Sequence, residues 1–381
     1  MKVMTILGTR PEIIRLSRVM AALDQVVEHR IVHTGQNYDY ELNDVFFEEL
    51  GVRRPDHFLE VDTSSLGRSL GEILIKTETV LLEERPDAVL VLGDTNSAIA
   101  TLMAKRMKIP TYHMEAGNRC FDANVPEEIN RKMVDHLADF NLVYTEHARR
   151  HLTSEGLSHR FIYLTGSPMR EVLEHMLPRI EQSTILETLG LERGKYFIVS
   201  VHREENVDSR DNLREVVAGL QALHDAYGFP VVVSTHPRTR NRLEALGLAE
   251  DSDAIRFLKP FGFLDYNHLQ VHAYCAISDS GTISEEASIL GFPAVTLRRS
   301  IERPEALDTG AIALTGLYKE VLVDGVRIAT ASREVFSGAQ REIPEEYKVR
   351  NTSERVVRLI TGTAKLTNRW RNMDEFSRYD W

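Results

Sequence analysis

The 381-residue chain has only two cysteines, Cys120 and Cys275, with no CxxC and no metal-ligand spacing around either. That excludes a disulfide-stapled fold and a cysteine-built metal centre. It suits a reducing cytoplasm, with Cys275 read as a small buried residue. Basic residues are outnumbered, 46 Lys and Arg against 57 Asp and Glu for a net charge of −11, so no basic face is left for nucleic acid. No apolar run approaches the ~20 residues of a membrane helix. Val3–Leu7 is too short for the core of a signal peptide and leads straight into Gly8-Thr9-Arg10, so no secretory leader is expected. Neither GxGxxG nor a P-loop occurs, which removes the nicotinamide fingerprint and the Walker-type phosphate loop. What remains is a soluble, cytoplasmic globular protein with no membrane or nucleic-acid partner, long enough for two domains.

What is present is an alternation of β and α. Lys2–Leu7 predicts a strand, Gly8-Thr9-Arg10-Pro11-Glu12 a tight turn, and Ile13, Leu16, Met20 and Leu23 one face of a helix. Further strands are predicted at Arg30–Thr34, Ala88–Leu92, Ile109–Tyr112, Asn141–Thr145 and Phe161–Leu164. A break and candidate hinge follows at Gly166-Ser167-Pro168. Strands then resume at Tyr196–Val201, Val231–Thr235, Ile255–Leu258, Ala273–Ser278, Ala294–Leu297 and Ala311–Leu314. Such continuous apolar runs are those of parallel strands buried on both faces. Asp56–Ser69 reads as a polar loop, its Ser65–Ser69 part a candidate mobile substrate loop or a plain surface loop, before a helix over Leu70–Leu82. The expected fold class is α/β, with two Rossmann-like doubly wound domains at 1–167 and 168–352. Asn351-Thr352-Ser353 is a capping cluster for the last helices. Residues 353–381, with Trp370, Phe376, Tyr379 and Trp381, are expected to pack back on the first domain.

Two of three acids stand where open α/β sheets bind ligands, past the carboxyl ends of strands, and the third opens a helix. Asp94 follows Ala88–Leu92, and Glu115 follows Ile109–Tyr112 in His113-Met114-Glu115-Ala116-Gly117. Glu127 opens a helix at Pro126-Glu127-Glu128, with Pro126 at its first position and Ile129, Met133, Leu137 and Phe140 at helical spacing behind. Each acid alone reads first as a cap or a solvated turn residue. Together they can converge, where crowded carboxylates raise one another's pKa and suit general acid and base work.

A second motif follows Ala273–Ser278. Ser280, Gly281 and Thr282 at a helix start offer free backbone N–H groups and the favourable dipole end to a diphosphate. Glu286, inside that helix, can accept two hydrogen bonds from the cis hydroxyls of a ribose. Arg10, Arg15 and His202 stand at other strand ends, and guanidinium groups match phosphate oxygens bidentately. Singly, Ser280 is a helix cap, Arg15 a surface residue and His202 a turn residue. As a set they point to a nucleotide diphosphate. His236 is ambiguous and stays outside the site.

The ordered motifs Gly-Thr-Arg-Pro-Glu at 8–12, Gly-Asp-Thr at 93–95, Glu-Ala-Gly at 115–117, Pro-Glu-Glu at 126–128, His-Arg-Glu-Glu-Asn at 202–206 and Asp-Ser-Gly at 279–281 resemble the non-hydrolysing UDP-N-acetylglucosamine 2-epimerases over essentially the whole chain. The resemblance implies a glycosyltransferase-B type fold with the active site in the interdomain cleft, a homodimer, and a UDP-activated 2-acetamido sugar as substrate. It also implies no cofactor, since the reaction has no net oxidation, and no metal. A base removes the C2 proton while UDP leaves C1, and the 2-acetamidoglycal regains a proton on the opposite face as UDP returns. The catalytic residues implied are Asp94, Glu115, Glu127 and His202, with Glu115 and Glu127 the proton-transfer groups and Asp94 a third participant. Arg10, Arg15, His202, Tyr266 beside the uracil, Ser280, Gly281, Thr282 and Glu286 are implied to bind UDP.

The stretch His33–Phe47 is similar to the branch that forms UDP-N-acetyl-L-fucosamine from UDP-2-acetamido-2,6-dideoxy-L-talose for surface polysaccharide. Departures from the common pattern are Arg15 for lysine, Thr282 for a second glycine and Asn118 for leucine. Residues around the family's regulatory site also differ, which counts against such activation. The competing readings are a UDP-N-acetylglucosamine/UDP-N-acetylmannosamine 2-epimerase, a hydrolysing epimerase, a transferase of the same fold and a non-catalytic nucleotide-sugar sensor. A transferase or a sensor leaves Glu115 and Glu127 without a task.

Overall fold

The computed structural model describes residues 1–35, 40–122, 125–249, 252–299, 303–335 and 342–373, the side chains of 40–44 and 332–335 aside. The chain divides into two compact units, Met1–Val172 with Val349–Trp381, and Leu173–Lys348. The division falls within the Met169–Glu181 helix, into which Gly166, at φ 80°, and Pro168 lead.

The first unit holds seven parallel strands: β1 (Lys2–Leu7), β2 (Glu28–His33), β3 (His57–Phe58), β4 (Ala88–Leu92), β5 (Thr111–Met114), β6 (Phe140–Val143) and β7 (Ile162–Leu164), in the order β3-β2-β1-β4-β5-β6-β7. The winding reverses between β1 and β4, the switch point where such sheets bind ligands. Met4, Ile6, Val89 and Val91 fill the core with Ile73, Val80 and Leu81 of the Leu66–Glu84 helix. The Thr352–Thr363 helix packs on the Arg10–Val26 helix. Beyond it, Trp370 lies 6.4 Å from Phe140 between ring centroids, under the Arg160 guanidinium. Phe376, Tyr379 and Trp381 lie outside the described residues.

The second unit holds six parallel strands: β8 (Phe197–Ser200), β9 (Val231–Ser234), β10 (Ile255–Leu258), β11 (Cys275–Ser278), β12 (Ala294–Thr296) and β13 (Ala313–Leu314), in the order β10-β9-β8-β11-β12-β13. Its winding reverses between β8 and β11. Phe197, Val199, Val233, Ile277 and Val295 form its core, and Cys275 is fully buried among them.

Several local expectations are corrected. β5 runs two residues later than Ile109–Tyr112. Pro110 has no N–H for a ladder, and its carbonyl accepts from Val89, so the strand starts after it and pairs Leu92 with Met114. Glu115 therefore follows the strand directly. Within the expected polar loop, His57 and Phe58 form an edge strand on β2. Ser65 caps the next helix, its side chain accepting from the Arg68 N–H at 3.3 Å, so Ser65–Ser69 is a helix start and not a loop. Asn351 makes no side-chain cap; the Glu171 carboxylate takes the Ser353 N–H instead. The Pro126–Leu137 helix is turned over relative to its apolar pattern. It buries Glu128, Arg131, Val134 and Asp135, while Ile129 is 66% exposed and Met133 and Leu137 are half-buried. The inward charges have partners, described next, that outweigh burial of an isoleucine.

Candidate functional site

In the first unit the site is built from the turns after β1, β4 and β5. The turn after β1 is tied by Glu12. Its Oε2 accepts from the Gly8 N–H at 3.0 Å and the Thr9 hydroxyl at 2.8 Å, and its Oε1 from the Ser97 hydroxyl in the turn after β4. Burial pushes Glu12 up to about 7, although Ser97, Thr9, Gly8 and Thr95 all pull the other way. Arg10, at the head of its helix, stands 5.7 Å over the Phe46 ring.

Gly93 turns the chain out of β4 at φ 72°, and its N–H bonds to the Met114 carbonyl, joining the turn that carries Asp94 to the one that carries Glu115. The Asp94 carboxylate meets the Arg131 guanidinium, and Asn130 Nδ2 donates to the Asp94 carbonyl at 3.0 Å. Glu115 is buried and paired with Arg15, with Asn118 Nδ2 3.4 Å from its other oxygen. Its φ of 61° lies in the left-handed region, which costs an L residue about 1–2 kcal/mol and clusters at functional sites. A Cβ on Gly93 would lie 3.8 Å from Glu115 Oε2, so the Asp94 and Glu115 turns adjoin. Asp94 and Glu115 each meet an arginine, Arg131 and Arg15 in turn.

Behind them lies a buried network. His113 Nε2 is 2.7 Å from the Gly93 carbonyl oxygen and therefore donates, and its Nδ1 is 3.0 Å from Asp135. Asp135 also accepts from the Gly117 N–H and from Arg119, which pairs in turn with Glu155. Gly117 admits no side chain: a Cβ there would come within 2.5 Å of the Ala148 carbonyl oxygen. Glu127 is half-buried in the first turn of the Pro126–Leu137 helix. Its neighbour Glu128 is the buried one, bonded to the Cys120 N–H and to Arg131, which joins it to Asp94.

In the second unit the corresponding turns follow β8 and β11. Asp279, fully buried, accepts from the His202 N–H, the Arg203 N–H and Asn206 Nδ2. The His202 ring is exposed on one side, with Nδ1 3.3 Å from Asp279. The expectation of free amides is corrected at Ser280 and Thr282. Ser278 Oγ takes the Ser280 N–H at 3.0 Å, and Ser280 Oγ takes the Thr282 N–H at 3.3 Å. The Ser280 and Thr282 hydroxyls meet at 3.0 Å, beside Gly281. Glu286 is buried in the Ile283–Leu290 helix and held by Gln270 Nε2 at 2.8 Å. Burial, reinforced by the Glu286 charge, raises the Tyr266 hydroxyl above its ordinary range, against the Ser200 and Ser278 hydroxyls it meets. Tyr266 thus reaches under the ends of β8 and β11. His236 caps the Pro237–Ala245 helix, accepting from the Arg238 N–H. Among the described residues no group of three or more His, Cys, Asp or Glu side chains is placed to hold a metal, and no helix is long and apolar enough to cross a membrane.

Sequence reasoning brought out Asp94, Glu115 and Glu286 but passed over Glu12, Asn130, Arg131, Asp135, Asp279 and Gln270. The Gly-Thr-Arg-Pro-Glu motif at 8–12 and the Asp-Ser-Gly motif at 279–281 contain two of them, Glu12 and Asp279.

The model of the UDP-N-acetylglucosamine 2-epimerase family matches residues 21–361. The structure of a Rickettsia bellii UDP-N-acetylglucosamine 2-epimerase is 46% identical, covers 97% of this chain and 98% of its own, and superposes with a TM-score of 0.90. The Methanocaldococcus jannaschii UDP-GlcNAc 2-epimerase, solved with UDP-GlcNAc and UDP, is 36% identical over 95% of this chain and 100% of its own, with a TM-score of 0.88. A Pseudomonas aeruginosa UDP-2,3-diacetamido-2,3-dideoxy-D-glucuronate 2-epimerase is 35% identical over 333 residues, 86% of this chain and 92% of its own. A lipopolysaccharide glycosyltransferase at 12% identity and a TM-score of 0.62 shares the fold alone, which is of the glycosyltransferase-B type.

Proposed function

This chain belongs to the UDP-N-acetylglucosamine 2-epimerase family, a family of isomerases, and we propose that it inverts C2 of UDP-2-acetamido-2,6-dideoxy-L-talose to give UDP-N-acetyl-L-fucosamine for surface polysaccharide. The observation that carries the epimerase reading is Glu115, buried, held in the left-handed region, paired with Arg15 and adjoining the Asp94 turn. An acid so constrained is what proton transfer at a carbon requires. One acid takes the C2 hydrogen as the C1–O bond to UDP breaks, and another returns a proton to the opposite face of the glycal as UDP re-adds. Glu115 and Glu127 carry the protons, and Asp94 is the third participant.

The diphosphate roles fall to Arg10, Arg15 and His202 with Ser280, Gly281 and Thr282, where developing charge on the leaving group is stabilised. Glu286, oriented by Gln270, takes the ribose hydroxyls, and Tyr266 lies beside the uracil. The likeness of His33–Phe47 to the L-fucosamine branch supports the sugar, although residues 36–39 lie outside those described. The Rickettsia and Methanocaldococcus relatives, both UDP-N-acetylglucosamine 2-epimerases, favour UDP-N-acetylglucosamine as the second reading. A homodimer is proposed too. Leu66, Ile75 and Ile129 leave apolar surface on the first unit, and light scattering on the purified chain tests it.

The test is incubation with each UDP-sugar in D2O, without acceptor, following C2 by NMR. Deuterium at C2 with UDP retained is the expected result, fastest on the 6-deoxy-L-talo substrate. Free sugar in place of UDP-sugar would make the protein a hydrolase, and no change would leave a transferase or a sensor. Glu115→Gln should bind UDP and lose C2 exchange; wild-type exchange in that variant would remove Glu115 from the mechanism.

A further inference from the structure

We infer that Glu12 is a positioning residue for the epimerisation: its carboxylate spans the turns after β1 and β4 and holds Asp94 in the geometry that proton transfer needs. The inference rests on the reading above. Glu12 is 1% exposed and uses both oxygens in opposite directions. Oε2 binds the turn after β1, through the Gly8 N–H and the Thr9 hydroxyl. Oε1 takes the Ser97 hydroxyl, which is 2.6 Å from the Thr95 hydroxyl, next in the chain to Asp94. Asp94 is thus fixed at its side chain by Arg131 and at its backbone by Asn130, and its turn is anchored by Glu12.

A capping role alone does not account for this arrangement. A Thr-x-x-Glu box needs only the contacts at the helix start and works at a protein surface, where it contributes about 1 kcal/mol. It has no use for a second oxygen that reaches a residue 85 positions along the chain, in the turn after the neighbouring strand of the sheet. Nor does it require full burial, which opposes the charged form. The cross-sheet contact lies at the switch point, between the turn that presents Arg10 and the turn that presents Asp94.

The test is a comparison of Glu12→Ala, Glu12→Gln and Asp94→Asn in the full-length protein, by C2 exchange and amide hydrogen exchange. Glu12→Ala should lower kcat about 10- to 100-fold, the scale of a misplaced catalytic group, and raise the KM for UDP-sugar by less than that, through the turn that presents Arg10. Glu12→Gln keeps an acceptor for Gly8 and Thr9 and can donate to Ser97, so it should stay within about threefold of wild type. In the Asp94→Asn background, Glu12→Ala should add less than about twofold, because it acts through the residue already removed. Amide exchange at 94–97 should rise in Glu12→Ala. If Glu12→Ala does not fold, Ser97→Ala, which removes the Oε1 contact alone, takes its place with the same expectations. Losses that multiply, or unchanged amide exchange at 94–97, would overturn the inference. Absence of C2 exchange in the wild-type chain would instead overturn the epimerase reading.

Discussion

Asp279 accepts the backbone N–H of His202 at 3.1 Å, so the turn after β11 fixes the turn after β8. The same buried carboxylate serves the Arg203 N–H and Asn206 Nδ2. Truncation leaves these donors without that acceptor, at roughly 1–3 kcal/mol for each one kept from water. Asp279→Ala should lower the urea midpoint and weaken UDP binding about tenfold. Asp279→Asn, with one acceptor oxygen, should recover part of both. Calorimetric titration with UDP checks this, and equal affinity in wild type and Asp279→Ala would separate the clasp from nucleotide binding.

Glu12 sets a pH dependence of stability. Its folded carboxyl titrates at about 7, against an ordinary value of 4.5. Between those values the unfolded chain has lost the proton and the folded chain has kept it. Stability contributed by this group is therefore present below pH 4.5 and lost as pH rises through 7. The difference is about 3 kcal/mol by pH 8. Urea midpoints at pH 5 and pH 8 should differ more for wild type than for Glu12→Gln; equal differences would mean that Glu12 titrates as in water.

Glu155 has the opposite sign. The Arg119 guanidinium holds it down to about 2, with His136 adding to the pull. Its contribution is present above pH 4.5 and lost as pH falls through 2. It should amount to about 1–2 kcal/mol at pH 7 once solvent screening of a quarter-exposed side chain is allowed for. Glu155→Gln should flatten the acid limb of a midpoint-against-pH curve and lower the plateau.

At Glu115 two effects oppose. Glu115→Gly relieves a left-handed backbone, a gain of about 1–2 kcal/mol. It also takes the buried Arg15 away from that carboxylate, and breaking a buried pair costs about 3–5 kcal/mol. The second should win: Glu115→Gly is expected to unfold at lower urea than wild type, and Glu115→Gln, which keeps an acceptor for Arg15, at a midpoint between them. A Glu115→Gly midpoint above wild type would show that strain dominates.

The strands were legible because runs such as Ala88–Leu92 and Val231–Ser234 make sense only when buried on both faces. The acids at their ends followed from position alone. The clasps did not, because Glu12 meets Ser97 and Asp279 meets His202 across 85 and 77 residues, and no local pattern encodes such a pairing. The edge strand His57–Phe58 is two residues long, too short to show alternation. The Pro126–Leu137 helix misled for a physical reason. Hydropathy ranks Ile129 above Asp135, but Asp135 has Gly117, His113 and Arg119 to meet it inside.

That inverted helix separates two kinds of change. Its interior side is committed: a swap at Asp135 or Arg131 disturbs several partners at once and reaches the turns that carry the acids. On its exterior Ile129 is 66% exposed, while Lys132 pairs with Glu128 and His136 with Glu155. Exchange of Ile129 alone is therefore expected to alter self-association or solubility while turnover stays the same, a division of labour within twelve residues.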